Sequence, residues 1–121
     1  MFRYRLSDAA QGDIVDILAW THVWFGEPAR LRYETLIVAA LRDVATAPER
    51  PGSLARPELG ARVRSWHLRQ SRAHAEPGLN VVRRPRHFLV YRFEPGLVEV
   101  GRVLHDAMEL ARHLDPDSSW Q

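Results

Sequence analysis

Apolar residues recur at helical spacing through the first half of the chain and at alternate positions through much of the second, which predicts helices first and sheet later. Phe2, Tyr4 and Leu6 alternate with Arg3 and Arg5 as a short opening strand. Ser7 supplies the side-chain oxygen of an N-cap, and Asp8 puts a carboxylate in the positive first turn of a helix. Ala10, Ile14, Ile17, Leu18, Thr21 and Phe25 form one stripe of that helix, which ends at Gly26. Pro28 suits the first position of a second helix, whose stripe is Ala29, Tyr33, Leu36, Ile37, Ala40, Leu41 and Val44 and which Pro48 stops. So short a link forces the two helices into an antiparallel hairpin.

Pro48–Gly60 reads as a loop, with three prolines and two glycines in thirteen residues. Ala61–Gln70 is predicted as a strand, with Arg62, Arg64, Trp66 and Leu68 on one side. Ser71–Pro85 follows as a longer excursion with a short strand at Leu79–Val82. Arg86–Phe93 and Leu97–Leu104 then form a hairpin around Glu94-Pro95-Gly96, the strongest β signal in the chain. Alternation sets Phe88, Val90 and Arg92 against His87, Leu89, Tyr91 and Phe93, and Val98, Val100, Arg102 and Leu104 against Glu99, Gly101, Val103 and His105. Asp106 is placed to cap a final short helix that buries Ala107, Leu110, Ala111 and Leu114, and a polar tail follows from Asp115. The order β-α-α-β-β-β-α predicts an α+β domain, an antiparallel sheet packed against an N-terminal helical hairpin.

At 121 residues the chain suffices for one core, expected to span residues 1–114 with 115–121 as the tail. It has no cysteine, which excludes disulfides, thiolate catalysis and cysteine zinc sites. No glycine-rich phosphate loop occurs, and Ser53, Ser65 and Ser71 lack the setting of a nucleophile. His67, His74, His87, His105 and His113 lack the spacing of a zinc motif, so neither metal nor cofactor is expected. Patterned sequence begins directly after Met1, without a leader or an apolar run long enough to span a bilayer, which predicts a cytoplasmic protein.

Charge is distributed unevenly. All 17 basic residues are arginine. Residues 1–60 hold seven arginines against eight acids, whereas Arg62–Arg92 holds eight arginines against Glu76 alone, interleaved with His67, His74 and His87. One reading is a half-solvated sheet whose arginines reach past apolar neighbours to water. The other is a surface for an anionic partner, either nucleic-acid phosphate or an acidic protein segment. On the hairpin, Trp20 and Trp24 flank one buried stripe and Val38 and Ala39 the other. These residues either pack at a core margin or form an apolar groove for a partner helix.

Three stretches in order carry a family resemblance. They are Tyr4-Arg5-Leu6-Ser7 through Ala10, Asp13, Ile14 and Ile17 to Arg30, Tyr33 and Leu36; Val63–Leu68; and Pro85–Arg92 followed by Arg102–Leu110. The ordered set, over about residues 3–114, resembles the ParE branch of the ParE/RelE toxin superfamily. That resemblance implies a toxin that inhibits DNA gyrase by binding and is neutralised by a ParD-like antitoxin. The antitoxin would engage Trp20, Trp24, Val38, Arg64 and Arg69, and the target would engage Arg86, Arg92, Arg102 and His105. The RelE-like relatives imply the alternative, a ribosome-dependent mRNA endoribonuclease in which His105 moves a proton and Arg86 and Arg102 stabilise phosphate, with Glu58 as a helper. The Ser71–Arg84 segment departs from the family pattern in its length and is a candidate contact loop.

Overall fold

A computed structural model of the chain describes residues 3–75, 82–107 and 120. Strand β1 (Arg3–Leu6) leads into helix α1 (Asp8–Phe25) and helix α2 (Glu27–Thr46). The remaining strands are β2 (Leu54–Ala55), β3 (Val63–His67), β4 (His87–Glu94) and β5 (Leu97–His105). They form one sheet in the order β1-β5-β4-β3-β2. The α+β class read from the sequence is the observed one.

Ser7 caps α1 as its position predicts. Its Oγ accepts the Ala10 amide at 3.0 Å and donates to the Gly101 carbonyl at 2.7 Å, so one hydroxyl starts the helix and ties it to β5. Gly26 alone separates the two helices, at φ 88°, a left-handed backbone angle that favours glycine. Pro28 lies in the first turn of α2, where its missing N–H costs no helical bond. Tyr33, Leu36, Ile37, Ala40, Leu41 and Val44 are then buried against Leu89, Tyr91, Val98 and Val100 of the sheet. Burial of each large member contributes about 1.5–3 kcal/mol, far more than helix propensity, so this face holds the hairpin on the sheet.

Several details differ from the sequence pattern, among them strand β2 (Leu54–Ala55) and a 3-10 turn at Pro57–Leu59 inside the Pro48–Gly60 stretch read as a loop. First, β1 pairs parallel to β5 at the sheet edge, while the other pairings are antiparallel. β1 and β5 are the first and last described strands in chain order, joined only through the rest of the domain, so no tight turn fixes their relative direction. Second, the strand expected over Ala61–Gln70 ends at His67, and Leu68–His74 continues as a 3-10 helix. Leu68 and Ser71, three residues apart, are fully buried there, a spacing that suits 3-10 geometry. Third, the register shifts between Val90 and Tyr91, leaving Gly101 as an extra residue on β5. Alternation changes phase at that bulge: Val98, Val100 and Val103 all enter the main core, while Leu104 packs with Val63 and Val90 on the opposite face. Fourth, Phe25 was expected in the core and is instead 66% exposed, because the last turn of α1 extends past the buried Thr21.

Phe88, Leu59 and Trp120 also pack against the cluster on the face away from the helices. Thus at least Trp120 of the tail is anchored rather than solvated. Its carbonyl accepts an Arg5 guanidinium N–H at 2.8 Å, and its ring lies 4.8 Å from the Arg92 guanidinium carbon. Leu110, Ala111 and Leu114 of the expected final helix, and Leu79–Val81 of the short strand, lie outside the described residues. Val82 is described and lies in no strand.

Candidate functional site

A groove of about 1280 Å³ lies between the Gly26 end of the helical hairpin and the chain leading into β4. Ile17, Trp20 and Phe25 of α1 make its apolar wall; Arg32 and Tyr33 come from α2, and Arg83, Arg84, Arg86, His87 and His105 from the other side. Trp20 is 54% exposed and packs edge-on against Phe25, with ring centroids 5.6 Å apart. Trp24, 6.4 Å from Trp20, continues the exposed aromatic surface beyond the groove. Exposed aromatics this close together lie beyond what the fold needs for its own core.

A polar chain crosses the groove floor. The Arg86 amide donates to the Tyr33 hydroxyl at 3.2 Å, and Tyr33 lies 2.6 Å from Nδ1 of His87. With the phenol oxygen accepting from the amide, its own proton is assigned to the bond with His87 Nδ1; burial pushes the phenol pKa up to about 12, so it keeps that proton throughout the physiological range. Burial, and next the neighbouring His105, push the His87 pKa down to about 4, so His87 is neutral at pH 7. His87 and His105 are cross-strand partners with perpendicular rings 5.3 Å apart. Nδ1 of His105 accepts the Ala107 amide at 3.1 Å. Asp106 is 3.7 Å from that same nitrogen, too far for a hydrogen bond.

These contacts assign the tautomers from the hydrogen-bond network. With Nδ1 of each ring assigned as an acceptor, the ring proton lies on Nε2. The groove floor thus offers N–H donors and no imidazole lone pair. Asp106 is engaged elsewhere: it takes a hydrogen bond from His67 Nε2 at 3.1 Å and from Arg86 Nε at 3.2 Å. Burial alone would raise its pKa, but those two bonds outweigh it and hold the carboxyl below its usual range.

Most arginines on the sheet have internal partners. Arg102 grips Asp13 through Nε at 2.7 Å and Nη2 at 3.0 Å. Arg92 pairs with Glu99, which Arg5 also engages. Arg64 donates to Ser53 Oγ at 3.0 Å, near the short edge strand. Arg69 is exposed after β3, Val38 lies on the outer side of α2, and Glu58 faces Arg56 across 4.0 Å; none of these three lines the groove. Among the described residues, Arg32, Arg83 and Arg84 have no carboxylate partner, and all three line the groove.

Of the residues singled out from sequence, Trp20, Arg86 and His105 therefore meet in one site, while Arg92 and Arg102 do not join them. Tyr33 was read as a stripe and motif residue, His87 as a strand position within the basic segment, and Arg32, Arg83 and Arg84 only as charge. Tyr33 ends a buried stripe, a place where a hydroxyl needs a polar partner, and that was the one signal available.

No metal-binding group of three or more His, Cys, Asp or Glu residues occurs among the described residues, and no described helix is long and apolar enough to cross a membrane. A family model described as the ParE toxin of the type II toxin–antitoxin system parDE matches residues 4–110. No curated protein sequence matches. Among solved structures, the chromosomal ParDE toxin–antitoxin system from P. aeruginosa is similar, with a TM-score of 0.59 and 15% identity over 87% of this chain and 96% of that one. At that identity the likeness speaks for the fold alone.

Proposed function

The chain belongs to the ParE toxin family of type II toxin–antitoxin systems, and from that premise we propose that it works in the cytoplasm by binding, inhibiting DNA gyrase until a ParD-like antitoxin fills its groove. Residues 1–114 act as the toxin domain in this reading. The groove suits an amphipathic, acidic segment of the antitoxin, since it pairs the apolar wall of Trp20, Phe25 and Ile17 with the unpartnered Arg32, Arg83 and Arg84.

One observation carries the choice of binding over catalysis. A nuclease needs a lone pair to take the attacking hydroxyl's proton, and Nδ1 of His105 already accepts the Ala107 amide while Nδ1 of His87 is engaged by the Tyr33 hydroxyl. Arg102, the other candidate for phosphate chemistry, is held by Asp13.

The test compares the purified toxin in two assays, gyrase supercoiling and mRNA cleavage on ribosomes. Loss of supercoiling with intact message is expected, and the His105→Ala variant should retain it. Cut message with unaffected gyrase would overturn the proposal.

A further inference from the structure

Resting on the reading of the groove as the antitoxin's seat, we propose that His87 and His105 form a carboxylate subsite in its floor, which receives one acidic side chain of that segment. The pair stands directly across the β4–β5 ladder, with rings 5.3 Å apart. In each ring Nδ1 is occupied, by the Tyr33 hydroxyl in one and the Ala107 amide in the other, so each presents a fixed Nε2–H. Among the described residues neither Nε2 has a hydrogen-bond partner, and neither is sealed from solvent. Two fixed donors without acceptors match the two oxygens of a carboxylate, which accepts and never donates when ionised.

The surroundings favour an acidic protein side chain over a nucleic-acid phosphate. Ile17 and Val82 add aliphatic walls beside Trp20 and Phe25, an apolar lining that a helix's apolar face can fill. Arg86 already spends part of its guanidinium on Asp106. Arg83 and Arg84, at the mouth, attract an acidic segment before the deeper donors select its position.

The rings come first in the test. Long-range proton–nitrogen NMR of the full-length toxin should show both imidazoles as Nε2–H tautomers at pH 7.5; an Nδ1–H tautomer in either ring overturns the proposal. Calorimetry then uses a cognate ParD-like antitoxin. His105→Leu should weaken binding about ten- to a hundredfold, the range of a lost hydrogen bond to a charged group. His105→Gln, which keeps an N–H near the same place, should stay within about threefold of wild type. Replacing the antitoxin's acidic residues one by one should find one whose loss costs the wild-type toxin tenfold and His105→Leu nothing.

Trp20→Ala separates the two readings. Weakened binding by Trp20→Ala, with His105→Leu and His105→Gln both at wild-type affinity or both equally weakened, overturns the carboxylate subsite and leaves the groove reading standing. Unchanged binding by Trp20→Ala overturns the groove reading and the subsite with it. An oligothymidylate that displaces the antitoxin, and whose own binding needs His105, overturns the proposal in favour of a phosphate site.

Discussion

Asp13 of α1 and Arg102 of β5 form a two-pronged ion pair, at 2.7 and 3.0 Å, and the same carboxylate also accepts the Val103 amide at 2.9 Å. Beyond the end of β1, the edge of β5 would otherwise be open. Asp13 fills that gap, so a residue on a helix replaces a missing strand partner. Asp13→Ala should therefore break the two-pronged pair and leave the Val103 amide unpaired, and cost about 3 kcal/mol in urea unfolding, the lower end for a broken buried pair because both side chains keep some exposure. A cost below about 0.5 kcal/mol would show that water replaces the contact.

Acid should destabilise the fold through His87. Its pKa is depressed in the folded state to about 4 from the ordinary 6.5, so its contribution is complete above about pH 6.5 and is lost as pH falls towards 4. The shift is worth on the order of 2 kcal/mol once discounted for partial exposure. Denaturation midpoints from pH 7.5 down to 4.5 should fall more steeply for the wild type than for His87→Gln. Parallel curves would remove His87 as the cause.

Ser71 bridges the far end of the hairpin to the sheet. It accepts the Trp66 indole N–H at 2.8 Å and donates to Asp43 at 2.6 Å, with no exposure of its own. Ser71→Ala orphans the indole and loosens a carboxylate that Arg50 and His74 also contact. A loss of about 2 kcal/mol is expected from chemical unfolding, together with a red shift of Trp66 fluorescence. Unchanged stability would mean that Trp66 finds another acceptor.

Trp120 should behave as an anchored residue rather than as part of a tail. Truncation before Trp120 removes the ring beside Arg92 and uncovers the Val63, Val90 and Leu104 cluster. About 1–2 kcal/mol of stability should go with it, and binding of a hydrophobic dye should rise. Dye binding equal to wild type would show that the cluster is covered without Trp120.

How legible each part was depended on the range of the interactions behind it. Ser7, Gly26, Pro28 and the stripe from Tyr33 to Val44 act within a turn or two of chain, so capping and periodicity located the hairpin. The β4–β5 hairpin showed through alternation and its Pro-Gly turn, and the ordered motifs pointed to the family. The groove was visible only in part. Trp20 stood out because it flanks a stripe, but nothing local distinguishes Arg84, which has no carboxylate partner among the described residues, from Arg92, which has two contacts, Glu99 and the Trp120 ring.

Local propensity and hydrophobic spacing thus determined the α+β class, the helical hairpin and the ParE kinship from the sequence by itself. Only the tertiary structure decided which charges remain available for a partner. Whether an arginine is neutralised depends on carboxylates brought beside it from distant chain, as Asp13 is to Arg102 and Glu99 to Arg92. The tautomers of His87 and His105 depend in the same way on Tyr33 and the Ala107 amide, because a ring's proton goes to the nitrogen that its neighbours leave free.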